Sequence, residues 1–460
     1  MIRARWWIPI AAVSLATAGW LGVAHGRRGP THRASPARAD SSVASDVRAE
    51  DERRAQDIVF YERRVAEDTA SALDQGLLAG LYLQRARATG DFTDVARAER
   101  LARSSLSRRT ARNGQTFALL ASALLARHAF AEALDVARRA HALDPDGPAH
   151  LALLGEIELE IGDYAAADSH FRAIHFDGEQ FTIGARLARW RELTGRSDAA
   201  RRLLRAAVLR VDRRDDLPRE QVAWFHYRLG DLELRSGRLD AADSAFRAGL
   251  AIFPEDYRIL GALARLAAAR GDWPSSIDYG SRAIAIQLDP TVLGTMSDAY
   301  AALGDTAQAA QYAAAMSINA LRQPGPIHRA WGMFVLDHGT PRDVDRVLAK
   351  TRAEARTRHD VYGADLLAWA LYRKGRYDEA GAASARALAQ HTEDAQLHYH
   401  AGMIALARGD SGAALAQLEE AMHLAPAFSP SQSPVARRAL ESLRARPQVA
   451  GVSSRRDPGS

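Results

Sequence analysis

The densest run of side chains with chemical options is HTEDAQLHYH, His391–His400. It holds three histidines and two carboxylates, the residue types that ligate zinc or move protons. A metal needs those groups to converge. On a helix His398 and Asp394, four residues apart, share a face, whereas His400, two from His398, points elsewhere. His170 and His175 show no better spacing, and the carboxylates of HFDGE, His175–Glu179, read as turn and surface groups. The chain has no cysteine, which removes disulfides, thiolate metal sites and a cysteine nucleophile. It has no phosphate-binding glycine loop with its lysine, no HExxH and no GxSxG. These observations assign no catalytic residue, no metal ligand and no cofactor, and they argue against an enzyme.

The net charge is +5, and 59 of the 61 basic residues are arginine, Lys350 and Lys374 being the exceptions. Arginines alternate with Asp and Glu along the chain, which is the pattern of a solvated helical surface. A nucleic-acid binder clusters its charge, so nucleic acid is not an expected partner.

The elements that carry these residues repeat. Short breaks between helical runs fall at Gly162, Gly195, Gly237, Gly271, Gly304, Gly339, Gly375 and Gly409, at intervals of 33, 42, 34, 33, 35, 36 and 34 residues. His128, 34 residues before Gly162, fills the same slot. The one long interval coincides with VDRRDDLP, Val211–Pro218, read as an enlarged loop. Each unit holds two amphipathic helices. In the unit from Ala223, Phe225, Leu229, Gly230 and Leu232 lie on the first; Gly237 ends it; Asp240 sits at the start of the second, where a carboxylate accepts orphan amide protons. Ala242, Phe246, Gly249 and Leu250 form the apolar stripe of the second helix, and Pro254 closes the unit.

This plan resembles the tetratricopeptide repeat, which has a small residue at position 8, Gly at 15, Ala at 20, an aromatic near 24, Ala at 27 and Pro at 32. The unit from Pro148 supplies Gly155, Gly162, Ala167 and Phe171; that from Gly114 supplies Ala121, Ala133, Ala140 and Pro145. The unit from Ala395 supplies Gly402, Gly409, Ala414, Ala421 and Pro426; that from Val361 supplies Ala368, Gly375, Ala380 and Ala387, with Thr392 in place of the proline. Gly280, Ala313 and Val344 depart from the pattern. Small residues at these slots let helices approach closely; larger ones overpack at roughly 1–3 kcal/mol each.

The expected fold is all-α, and the resemblance implies a right-handed α-solenoid of stacked helix-turn-helix units. Residues 1–26 read as a signal peptide or N-terminal membrane anchor, because the uncharged run Trp6–Ala24 is long enough, at roughly 28 Å as helix, to cross a bilayer core. Residues 27–50 read as a flexible linker, with N-terminal helices and a divergent repeat over 51–112, including a helix over Ile58–Ala72. An array of about nine units covers 113–428, and a capping helix and disordered tail cover 429–460, the helix starting with Ser433 as N-cap and Pro434. The body is expected to be membrane-anchored, periplasmic or exported; the arginines on both sides of the apolar run leave its orientation open.

The resemblance also implies a concave groove lined by first helices. Carried onto this chain, that groove presents Glu156, Arg186, Arg189, Arg228, Asp231, Arg258, Arg265 and Asp298, then an aromatic stretch of Tyr362, Asp365, Trp369, Tyr372, Tyr399 and His400. Arginine and aromatic side chains suit partner anchoring. The lysines and asparagines of a chaperone-tail carboxylate clamp are absent from the corresponding positions. The function expected is a scaffold binding protein or peptide. The alternatives are a self-associating structural component of an envelope assembly, and a ligand-binding protein or enzyme using the C-terminal aromatic region.

Overall fold

A computed structural model describes residues 36–322 and 327–445. The leader at Trp6–Ala24 and the tail after residue 445 lie outside the described residues, among which no helix is long and apolar enough to cross a membrane. The described chain is all-α. A long helix α1 (Pro36–Glu67) leads into α2 (Ala72–Thr89) and α3 (Phe92–Arg108). Paired helices follow: α4 (Gly114–Ala126) with α5 (Phe130–Leu143), α6 (Pro148–Ile161) with α7 (Tyr164–Ala173), α8 (Phe181–Leu193) with α9 (Ser197–Val211), and α10 (Arg219–Arg235) with α11 (Leu239–Ile252). The pairing continues through α12 (Tyr257–Ala269) and α13 (Trp273–Ile286), α14 (Pro290–Ala302) and α15 (Thr306–Arg322), and α16 (Arg329–His338) and α17 (Pro341–Glu354). It ends with α18 (Val361–Arg373) and α19 (Tyr377–Leu388), α20 (Ala395–Ala407) and α21 (Ser411–Leu424), and the capping helix α22 (Gln432–Ala445).

The small slots do what their size implies. A Cβ on Gly155 would lie 2.6 Å from the ring of Phe171, and one on Gly402 would lie 2.6 Å from Leu418. The large side chain of the second helix thus packs where the first helix has no side chain, as Phe246 also does against Gly230. Phe171 stacks in turn on Trp190 of the next unit at 5.3 Å, so neighbouring units share one core. In the unit that carries Gly280 in place of the aromatic, Met296 of α14 fills the space. Seven of the eight break glycines, and His128, adopt positive φ; Gly339 does not, at −79°. There the constraint is space, since a Cβ would lie 2.6 Å from the Val335 carbonyl.

Four expectations about element boundaries need correction. The linker expected over 27–50 is helical from Pro36, and the helix expected over Ile58–Ala72 is the end of α1, which stops at Glu67. The charged sequence suits a helix of which only one side is covered: Arg54 and Ile58 are buried, while most of their neighbours face solvent. The long interval at Val211–Pro218 is only partly loop, because α10 begins at Arg219 and gains an extra turn. That turn meets the N-terminal helices, with Arg219 paired to Asp46 at 2.7 Å and the buried Glu220 to Arg87 at 3.1 Å. At the other end, α22 begins at Gln432. Its first amide is capped by Ser429, 3.2 Å away, while Ser433 returns a bond to the Ser429 amide at 3.1 Å.

The stack winds back on itself. The turn between α6 and α7 touches the loop before α18: the His359 amide donates to the Ile161 carbonyl at 2.8 Å, and the Val361 amide to the Tyr164 hydroxyl at 2.9 Å. The turn between α8 and α9 meets the loop before α20, where the buried Thr392 hydroxyl donates to the Leu193 carbonyl at 2.6 Å and the Ser197 amide to Glu393 at 3.3 Å. These partners lie 196 to 199 residues apart, about six repeats of 34. Val361, Tyr362 and Leu397 share a buried apolar cluster with Leu159, Trp190 and Leu193, which closes the seam with hydrophobic area as well as hydrogen bonds.

Candidate functional site: the interior of the superhelix

Winding the first helices inward and sealing their turns encloses the concave face. Its interior is a cavity of about 670 Å3, lined by residues from α2 through the loop before α22. The walls mix apolar side chains (Trp224, Ala262, Met333, Leu366, Phe428) with arginines and carboxylates.

The residues expected to line an open groove divide into three groups. Arg186 and Glu156 are buried and paired at 2.8 Å, a contact between adjacent units with no face left for a partner. The C-terminal aromatic stretch is packing. Trp369, Tyr399, His400 and Asp365 are buried; Trp369 stacks on Tyr372 at 4.5 Å and on His400 at 4.2 Å. His400 Nδ1 lies 2.8 Å from Asp365, the Trp369 indole donates to Asp337 at 3.0 Å, and Gln432 of the capping helix donates to the same Asp337. This network fastens α22 to the last repeats. His398 bonds Gln417 instead, and His391, at positive φ, forms the seam beside Gly195, so the histidine run is divided among three structural tasks.

The third group does line the cavity: Arg189, Arg228, Asp231, Arg258, Arg265, Asp298 and Tyr362. Arg228 pairs with Glu192 at 3.2 Å and Asp231 at 3.4 Å; Arg265 reaches Asp231 at 3.0 Å. Arg258 is held by Asp256, the N-cap of its own helix, and Asp298 by His338 at 3.1 Å. Burial would raise the Glu192 carboxyl, but Arg235, Arg189 and Arg228 outweigh it and hold the group at about 2. Asp231 is likewise pressed well below the usual carboxylate range by Arg235, Arg265 and Arg228 against the same desolvation. Both stay charged, so the lattice is a fixed array of ion pairs.

Three members of this site escaped the groove expectation: Glu192, Arg235 and Arg329. Each sits at a position of its repeat that the resemblance already marks as concave, so that signal was available. Glu192 pairs with Arg235 between neighbouring units, whereas the meeting of Arg235 with Tyr362 depends on closure. Arg235 donates to the Tyr362 hydroxyl at 3.1 Å across the seam, and Arg329 lies over the Tyr362 ring at 4.0 Å. His128 and His328 also line the cavity from different turns. Burial, then Arg358 and His328, push the His128 imidazole down to about 4.

A family model described as tetratricopeptide repeat matches residues 227–291 and 366–427. Over those residues the chain carries tetratricopeptide repeats. No curated protein sequence matches it. Solved structures similar to this repeat protein include PilW, a type IV pilus biogenesis factor, with 17% identity over 47% of this chain and 97% of that one and a TM-score of 0.39. Pseudomonas aeruginosa pilF has 16% identity over 49% of this chain and 97% of its own, with a TM-score of 0.37. The human IFIT1 dimer with PPP-AAAA has 13% identity over 80% and 94%, with a TM-score of 0.42.

Proposed function

We propose that this repeat protein is a non-catalytic scaffold that receives a segment of a protein partner inside its closed superhelix. The observation that carries the reading is the cavity of about 670 Å3, walled by first helices from both turns and mixing apolar surface with fixed arginines. Concave sites of that composition bury a ligand and orient it with few polar groups. The uncharged run Trp6–Ala24 supports the further reading that the scaffold works at a membrane or after export.

The aromatic stretch at Trp369–His400 is consumed by packing and capping, so the partner surface is assigned to the cavity around Tyr362. The test is photo-crosslinking in native cells with a benzophenone amino acid at Thr295, which lines the cavity. A defined protein is expected to be captured there and lost when Met333→Trp fills part of the space. Capture from a site on the outer surface such as Asp240, but none from Thr295, would place binding on the convex side and overturn the proposal.

A further inference from the structure

The arginines of the cavity are not all used by the protein. Four of them, Arg189, Arg228, Arg235 and Arg265, share the two carboxylates Glu192 and Asp231, and a fifth, Arg329, stands beside them. Among the described residues Arg329 takes part in no ion pair; its contact is the Tyr362 ring, and its buried Nε has no hydrogen-bond partner there. The Nε groups of Arg189 and Arg235 are buried and unpartnered as well. All three converge on one phenol: Arg189 stands 5.7 Å and Arg329 4.0 Å from the Tyr362 ring, while Arg235 donates to its oxygen. Tyr362 accepts that bond and keeps its own O–H proton to give. Burial raises the phenol above its ordinary value, so the proton stays on.

The remaining acids nearby have other duties. Asp360 and Glu160 pair with Arg358, and Asp394 caps α20 by accepting from Gln396. Buried guanidinium N–H groups without partners are costly, and a carboxylate is the planar acceptor that matches their fork. The apolar walls beside them favour a chain that carries acidic groups among hydrophobic ones.

We infer that Arg189, Arg235, Arg329 and Tyr362 form an acceptor site for a carboxylate of an acidic, partly apolar peptide segment, and that this site exists only when the superhelix is closed. Arg189 and Arg235 come from α8 and α10, Arg329 and Tyr362 from α16 and α18, so the four groups belong to opposite sides of the seam. One bound carboxylate therefore ties the two turns together. Linkage makes the coupling reciprocal: the peptide stabilises closure, and whatever weakens closure weakens binding. This inference rests on the proposal that the cavity takes a protein segment and names the chemistry of that segment.

The experiment is calorimetric titration of the full chain with the peptide Ac-Leu-Glu-Glu-Phe-Glu-Leu-amide, with its lysine-substituted counterpart and with inorganic pyrophosphate. The acidic peptide is expected to bind and the lysine peptide not to. Losing a charge-assisted bond costs at least about tenfold in affinity, the loss expected for Arg329→Gln. Arg329→Lys, which keeps charge but loses the fork, is expected to fall in between. Thr392→Val touches none of the four groups but weakens the seam, and it is expected to lower affinity about three- to tenfold if closure is required. Helical circular dichroism and an unfolding curve identify any variant that has lost its fold.

Unchanged affinity in both Arg329 variants would overturn the carboxylate site, and unchanged affinity in folded Thr392→Val would overturn the coupling. Pyrophosphate binding without peptide binding would overturn the peptide chemistry in favour of a phosphate ligand. If Thr295 crosslinking still captures a protein while Arg329→Gln has no effect on capture, the scaffold reading stands and this inference alone falls.

Discussion

Gly162 and Gly409 end the first helices of two units with nearly the same backbone, φ 87° and 81°, but their surroundings differ. A Cβ on Gly409 would meet nothing within 4 Å, and the same is true at Gly271, Gly304 and Gly375. A Cβ on Gly162 would run into the backbone of His359 and Asp360, one on Gly195 into the backbone of His391, and one on Gly237 would stand 2.8 Å from the Leu424 carbonyl. The first-turn glycines therefore do two jobs. They supply a left-handed residue, and they let another stretch of main chain come close. The second-turn glycines do only the first. A repeat array is a sum of similar local units, but this one adds non-local contacts that make equivalent positions unequal.

The comparison is broken most forcefully by adding one methyl group. Gly409→Ala should cost only the left-handed strain of about 1–2 kcal/mol. Gly162→Ala adds overpacking against backbone that cannot rotate away, a further 1–3 kcal/mol or so. Chemical denaturation should rank the two in that order, and equal costs would remove the distinction.

Acid should act next, and first at the seam. His128 faces Arg358 and His328 across it and is held at about 4 against an ordinary 6.5. Its folded pKa is depressed, so the unfolded chain takes up the proton first. The associated stability is present above about pH 6.5 and lost as pH falls toward 4, with an upper bound of roughly 3 kcal/mol. Glu192, held at about 2 against 4.5, adds a second loss as pH falls from about 4.5 toward 2. Burial pushes the His328 imidazole down as well, so unfolding curves across this range should show two steps, and His128→Gly should shrink the upper one while leaving the lower.

A milder cut is Thr392→Val, which strands the Leu193 carbonyl that accepts its bond at 2.6 Å. An unsatisfied buried group costs about 1–3 kcal/mol. The loss should be confined to faster amide exchange around residues 193–197 and 391–394, with the remaining repeats unchanged.

The smallest effect should be a gain. His128 occupies a glycine slot at φ 57°, so at neutral pH His128→Gly should be neutral or stabilising by up to about 1 kcal/mol through relief of that strain. A clear loss of melting temperature would mean that the imidazole packs usefully against Phe130, whose ring centroid is 5.4 Å away.

The repeat was legible because packing inside one unit leaves letters behind. Gly155 opposite Phe171 and Gly402 opposite Leu418 are size constraints that recur every 34 residues or so. Closure left almost none. Its central contacts join backbone to backbone, as from the His359 amide to the Ile161 carbonyl, and any residue supplies those atoms. The glycines that permit the approach were already required by their positive φ, so the second demand is hidden behind the first. The candidate site inherited this blindness. The concave positions of the repeat named Arg189 and Tyr362, but nothing in either stretch shows that α8 and α18 face each other. The aromatic stretch misled for a related reason: Trp369, Tyr399 and His400 look like anchors until α22 covers them, and the Gln432–Asp337 contact that fixes that helix spans 95 residues. The end of α1 was expected as a helix, but its first part was read as linker because a charged, serine-rich sequence gives little amphipathic signal, although Arg219 and Arg87 with Glu220 set the extra turn of α10 against this end of the chain.

The most direct measurement is hydrogen exchange at the His359 amide, whose acceptor, Ile161, is six repeats away and belongs to no helix that His359 touches in sequence. Closure predicts slow exchange in the native chain, loss of that protection in Gly162→Ala, and retention of it in Gly409→Ala. Fast exchange at His359 in the native chain, or identical protection in both variants, would show that the two turns do not close on each other.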